Sequence, residues 1–208
     1  MKNKKAFTFI EFLIALSIFA IMAASIYYTL NAGVAIYRRG NAMIRDNQKL
    51  RISFDMMSLD LRNAVLYPEI ETEGTREKIA LPSIVNFSEE GYMAQRLVKA
   101  IYYFDGKRLL RKYALNKEDF DEEKAVEEVL IEKFDDFEVD DFEFKYAYEL
   151  EGLEGEYEWR NDWTTLDKIP RGIKAKLTLK NKFTDKKDIF EKTIFVPMGV
   201  FGSDNEAS

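Results

Sequence analysis

From Phe12 to Tyr37 the chain carries no formal charge, and nothing else in the sequence limits its folding as strongly. A helix needs about 20 apolar residues to cross the hydrocarbon of a bilayer, and this run is long enough to do so. Met1–Ala6 reads MKNKKA, and Lys2, Lys4 and Lys5 hold that end in the cytoplasm, so everything after the span is expected to face outward. An ordinary secretory signal has a shorter apolar region and a small-residue cleavage site after it. Here the run continues, without a break, into a polar sequence that still suits a helix. Glu11 is the anomaly, because a carboxylate near one end of a membrane helix costs a few kcal/mol unless it is paired or reaches the interface. Two readings of it stand: snorkelling toward headgroups and nearby lysines, or a counter-charge with a purpose.

Composition narrows the chemistry. The 208 residues suit one medium-sized domain and an appendage. The net charge is −6, with acidic and basic residues well mixed after the apolar run, which argues against a nucleic-acid surface. Cysteine is absent, excluding disulfides, iron–sulfur sites and thiolate zinc sites. Histidine is absent too, which removes the usual general base near neutral pH and the Ser–His triads.

Helical patterning continues past the apolar run. Met43, Leu50, Phe54, Met57, Leu61 and Ala64 recur at three- and four-residue steps, with Asn47 in the stripe, and Arg45, Lys49, Arg51, Asp55, Asp60 and Arg62 fall on the opposite face. No proline occurs before Pro68, so one helix is expected from Phe7 to Leu66, with Gly33 and Gly40 as weak points. Its outer half is expected to pack on a sheet. After Pro68 the pattern changes to strands. Leu97–Tyr113 holds two alternating runs around Asp105-Gly106, a hairpin signal in which both central residues can take positive φ. Phe142–Leu150, Ile173–Leu179 and Ile189–Val196 alternate as half-buried strands, and Val129–Phe134 reads as a further one. Gly202–Ser208 reads as a frayed tail. The expected class is α+β.

Lys4-Lys5-Ala6 followed by Phe7-Thr8-Phe9-Ile10-Glu11-Phe12-Leu13-Ile14-Ala15-Leu16 resembles the prepilin signature of type IV pilins and type II secretion pseudopilins. The resemblance implies cleavage by a prepilin peptidase between Ala6 and Phe7, N-methylation of Phe7, and an assembly role for Glu11. Those families usually carry glycine before the cut; Ala6 is still small, and slower cleavage is expected. The physical sense is direct. A mature amine at Phe7 needs a counter-charge in lipid, and a carboxylate one turn away meets it, in the same chain or in its neighbour, fixing axial stagger. Leu59-Asp60-Leu61-Arg62-Asn63-Ala64, the Asp105-Gly106 hairpin, the aromatic strand at Phe142, and Trp163 ahead of the Pro170-led strand are similar in order to the J-type minor pseudopilin of type II secretion, and to the PilW-type minor pilin of type IV pili.

The resemblance implies a pilin-like fold: a long N-terminal helix, transmembrane in its first half, packed on an antiparallel β-sheet head. The expected divisions are a leader over residues 1–6, a transmembrane and assembly half over 7–35, an extracytoplasmic helix half over 36–67, and a β-rich head over 68–208. It further implies a single-pass protein of the inner membrane, head in the periplasm, placed in the tip complex of a short pseudopilus. Its partners would be the I-type and K-type minor pseudopilins, the major pseudopilin and the prepilin peptidase. No nucleic acid, cofactor, metal or catalytic residue is expected, and the chain is not expected to be an enzyme. Carboxylates at Asp119, Asp121, Glu122, Glu123, Asp135, Asp136, Asp140 and Asp141 could supply oxygens to calcium, but they lack the spaced calcium-loop pattern and read better as a solvated face. Tyr157, Trp159 and Trp163 read as anchors before they read as a recognition patch. The alternatives are a type IV minor pilin for adhesion, motility or DNA uptake, and a membrane-anchored binding protein or enzyme with its anchor uncleaved.

Overall fold

The computed structural model describes residues 8–89, 92–115, 125–132, 134, 136–150, 156–165, 167–200 and 202. The chain divides into two compact units, residues 1–45 and residues 46–208. Helix α1 spans Phe9–Arg62 and contributes to both.

In the first unit the large apolar side chains from Phe9 to Tyr37 are exposed. A helix apolar on every side suits lipid, and this one is long and apolar enough to cross a membrane. Three of its serine and threonine hydroxyls are satisfied within the helix. Ser17 donates to the Leu13 carbonyl at 2.8 Å, Ser25 to Ile21 at 2.8 Å, and Thr29 to Ser25 at 2.9 Å. Where no water is at hand, this back-bonding is how a polar side chain escapes the desolvation cost.

In the second unit the rest of α1 buries Leu50, Phe54, Met57 and Leu61 against two antiparallel sheets. The first sheet has the order β1-β2-β3-β4-β5, with β1 Glu73–Gly74, β2 Lys78–Glu89, β3 Tyr92–Phe104, β4 Leu109–Ala114 and β5 Val126–Ile131. The second has the order β7-β6-β8-β9, with β6 Phe137–Glu149, β7 Tyr157–Arg160, β8 Gly172–Asn181 and β9 Lys187–Phe195. Alternation decides their inner faces: Phe142, Phe144, Tyr146 and Tyr148 of β6 and Ile173, Ala175, Leu177 and Leu179 of β8 are all buried. One core joins the helix and both sheets.

The β1–β2 connection of the first sheet stitches it to the second. Phe144 donates its N–H to the Arg76 carbonyl at 2.7 Å, and Trp163 its N–H to Gly74 at 2.9 Å. At Gly74 only a hydrogen fits, since an added Cβ would lie 2.6 Å from Trp163 Cβ and 2.8 Å from Tyr146 Cζ.

The structure corrects several local expectations. The buried stripe begins at Leu50, and Met43 is 60% exposed. The helix stops at Arg62, short of Leu66, because β2 captures the chain: Val65 donates to the Pro82 carbonyl at 3.0 Å and Ala64 bridges Ser83. The β3–β4 hairpin closes over Asp105–Arg108, with positive φ at Gly106 alone. Asp105 holds it by accepting the Lys107 and Arg108 N–H groups at 3.0 and 2.7 Å. Ile189 is exposed, whereas Ile194 and Val196 enter the core. Asp60, expected on the polar face, is buried. Trp163 is a core anchor whose Nε1 donates to the Lys168 carbonyl at 3.1 Å, while Tyr157 and Trp159 stack edge to face on β7.

Candidate functional site

Ala6 and Phe7 lie outside the described residues; Glu11 lies within them, in the first turn of α1. Its Oε2 accepts the Thr8 N–H and the Thr8 hydroxyl, both at 2.9 Å, and its own N–H donates to Thr8 Oγ1 at 3.3 Å. This is a capping box, which satisfies donors that the start of a helix otherwise leaves open. The sequence signal was present in Thr8-Phe9-Ile10-Glu11, a threonine followed three residues later by glutamate just before an apolar run. The box folds the carboxylate back onto the Thr8 N–H and hydroxyl at the helix start, and a negative group there also suits the helix dipole.

A second charged cluster fixes the other end of α1 within residues 46–208. Asp60 Oδ2 accepts the Tyr102 hydroxyl, Arg111 Nε and Nη2 at 3.0 and 2.8 Å, and the Tyr113 hydroxyl at 2.6 Å. The sheet assembles these donors by register: Tyr102 pairs with Arg111 across β3 and β4, and Tyr113 follows Arg111 by two residues on the same face. Arg111 also reaches Glu128 of β5 at 3.2 Å and lies 4.2 Å over the Tyr113 ring. The Asp60 carbonyl accepts Ser83 Oγ at 2.7 Å. Burial pushes the Asp60 carboxyl above its ordinary range, with the Arg111 charge and the Tyr102 hydroxyl pulling the other way. Burial, and then the Asp60 charge, hold the Tyr102 hydroxyl well above its usual value. No local sequence pattern marks this cluster, because Asp60 is 42 to 53 residues from the side chains that meet it.

Among the described residues no group of three or more acidic side chains could hold a metal ion. Asp140 and Asp141 instead pair with Lys187 and Arg76. Asp119, Asp121, Glu122, Glu123 and Asp135 lie outside the described residues.

A capped, lipid-length helix at the N-terminus, continuing into an α+β unit, defines a pilin-like chain. In agreement, residues 1–27 match the family model described as the prokaryotic N-terminal methylation motif. Residues 29–184 match the model described as type II secretion system (T2SS), protein J. That match covers most of the chain, which therefore belongs to the type II secretion protein J family, the J-type minor pseudopilins. The family is structural rather than catalytic. No curated protein matches the chain.

Proposed function

We propose that the mature protein begins at Phe7, after a prepilin peptidase removes residues 1–6 and the new amine is methylated. Residues 7–35 then anchor it in the inner membrane, 36–67 lie outside the cytoplasm and carry the helix on as far as Arg62, and 68–208 form a periplasmic head. The chain enters the tip complex of the pseudopilus beside I-type, K-type and major pseudopilins and promotes assembly for protein export. The observation that supports this most is Glu11, held by Thr8 at the first turn of a lipid-length helix. The carboxylate is pre-oriented by Thr8, so an amine of this chain or of its neighbour that reaches it meets an organised acceptor. Pairing between neighbours fixes their stagger. Membership in the type II secretion family favours this reading over a type IV pilus.

The test is incorporation. Glu11→Ala and Glu11→Gln should still insert and be processed but co-purify with the other pseudopilins at least tenfold less well. Wild-type incorporation of both variants would refute the role given to Glu11.

A further inference from the structure

After α1 ends, the chain turns before it enters the first sheet. Ile70 donates its N–H to the Tyr67 carbonyl at 3.0 Å, with Pro68 inside the turn. A second turn comes from the far side of the sequence: Lys168 donates its N–H to the Thr165 carbonyl at 3.3 Å, with Asp167 inside it. The antiparallel bridge between Gly74 and Trp163 brings the two segments side by side, since Thr72 and Thr165 each lie two residues from it. Between the turns is a cavity of about 430 Å³, a size in the range of small-molecule sites.

Leu66, Pro68, Ile70 and Pro82 make its walls mainly apolar. Neither proline has an N–H to offer, and the Ile70 N–H is already given to Tyr67. The Tyr67 hydroxyl donates to Glu69 at 3.1 Å. Donors are therefore scarce, while acceptors stand open. Glu71 and Asp167 complete the lining, both are exposed, and neither carboxylate has a partner among the described residues. The Thr165 hydroxyl, buried to 6% exposure in the same turn as Asp167, has no partner either. No basic side chain is among the described residues that line the cavity. Calcium takes about six to eight oxygens, and no group of three acidic side chains is present among the described residues to supply them. An apolar wall with two unmatched carboxylates instead suits an organic cation with an aliphatic body. A ligand with one ammonium would leave one of the two acids unmatched.

We propose that this cavity binds a linear aliphatic diamine, its methylene chain along Leu66, Ile70 and the two prolines, its two ammonium groups at Glu71 and Asp167. The inference goes beyond the reading above and is independent of it, because it uses residues of the second unit alone. An ion pair at an exposed carboxylate is weak by itself, so binding depends on both ends and on the apolar chain between them.

The experiment is a calorimetric titration of the full-length chain, held in a non-ionic detergent, with cadaverine as the probe. Cadaverine should saturate one site per chain and raise Tm by about 5 °C at a hundredfold excess over Kd. Pentylamine, with a single ammonium, should bind at least tenfold more weakly, and pentanediol should give no heat. Glu71→Gln and Asp167→Asn should each weaken cadaverine at least tenfold and leave the ligand-free Tm unchanged. Asp188→Asn, which alters an exposed acid on β9, should bind as the wild type does. No saturable heat, equal binding of pentylamine, an equal loss from Asp188→Asn, or displacement by an equal concentration of calcium overturns the proposal. The readout needs neither cleavage after Ala6 nor a partner pseudopilin, so its failure leaves the assembly role of Glu11 standing, and failure of that role leaves the cavity standing.

Discussion

Replacing Arg111 by methionine keeps the stem of the side chain and deletes the guanidinium that faces Asp60. In the folded protein Asp60 is buried to 3% exposure, so its carboxylate loses the cation at 2.8 Å and stays out of water. Removing one member of a buried pair typically costs about 3–5 kcal/mol. An independent bound comes from protonation. Binding a proton at pH 7 to a group with an unfolded pKa near 3.9 costs about 4 kcal/mol, and the buried carboxyl will not pay more than that before it neutralises. The two agree on about 3–4 kcal/mol at pH 7, or about 10 °C in Tm for a domain of this size. The sign with pH follows from the direction of the shift. A carboxyl whose folded pKa is raised destabilises at pH above that pKa, and the penalty fades as pH falls toward the unfolded value. Asp60 is already raised in the wild type, so the loss in Arg111→Met should shrink by about 1.4 kcal/mol per pH unit from the variant's folded pKa down to the wild type's, and level off below it. Urea denaturation of residues 46–208, wild type and variant, at pH 7, 6, 5 and 4 measures it. A loss below about 1 kcal/mol at pH 7, or one independent of pH, would refute the reasoning.

Gly74→Ala drives a methyl group into Trp163 and Tyr146 and should cost about 1–3 kcal/mol in the same assay, with Trp163 fluorescence altered; a neutral result would show that the seam between the sheets yields easily. Acid should weaken the head through other carboxylates. The hydrogen bond from Lys78 holds Glu73 below its ordinary 4.5, and Lys176, Lys145 and Arg76 hold Glu143 below it despite burial, which acts the other way. Their stabilisation is complete above pH 4.5 and is lost as pH falls through the lower folded values, so Glu73→Gln with Glu143→Gln should flatten the Tm profile below pH 4.5.

The parts of this protein that rest on periodicity could be read from the sequence. An uncharged run with lysines before it announces a span, and a stripe at Leu50, Phe54, Met57 and Leu61 announces a packed helix face. The strands at Phe142 and Ile173 declare their inner faces residue by residue, because a pleat has only two sides. What could not be read depends on contacts between distant segments. Asp60 looks like one more acid on a polar helix face until β3 and β4 bring Tyr102, Arg111 and Tyr113 to it. The early end of α1 depends on Pro82, a residue that no helix-ending rule consults. The joining of the two sheets depends on the contact between Arg76 and Phe144, 68 residues apart in the chain. Glu11 is a different case: its partner Thr8 is three residues away, and the capping-box spacing is legible in the local sequence.

Intact-mass analysis of the full-length chain, extracted from membranes of a host that carries a prepilin peptidase, bears most directly on the whole account. The expected mass is that of residues 7–208 plus one methyl group, with fragmentation placing the methyl on the Phe7 amine. A chain still beginning at Met1, or trimmed at any other bond, would contradict it.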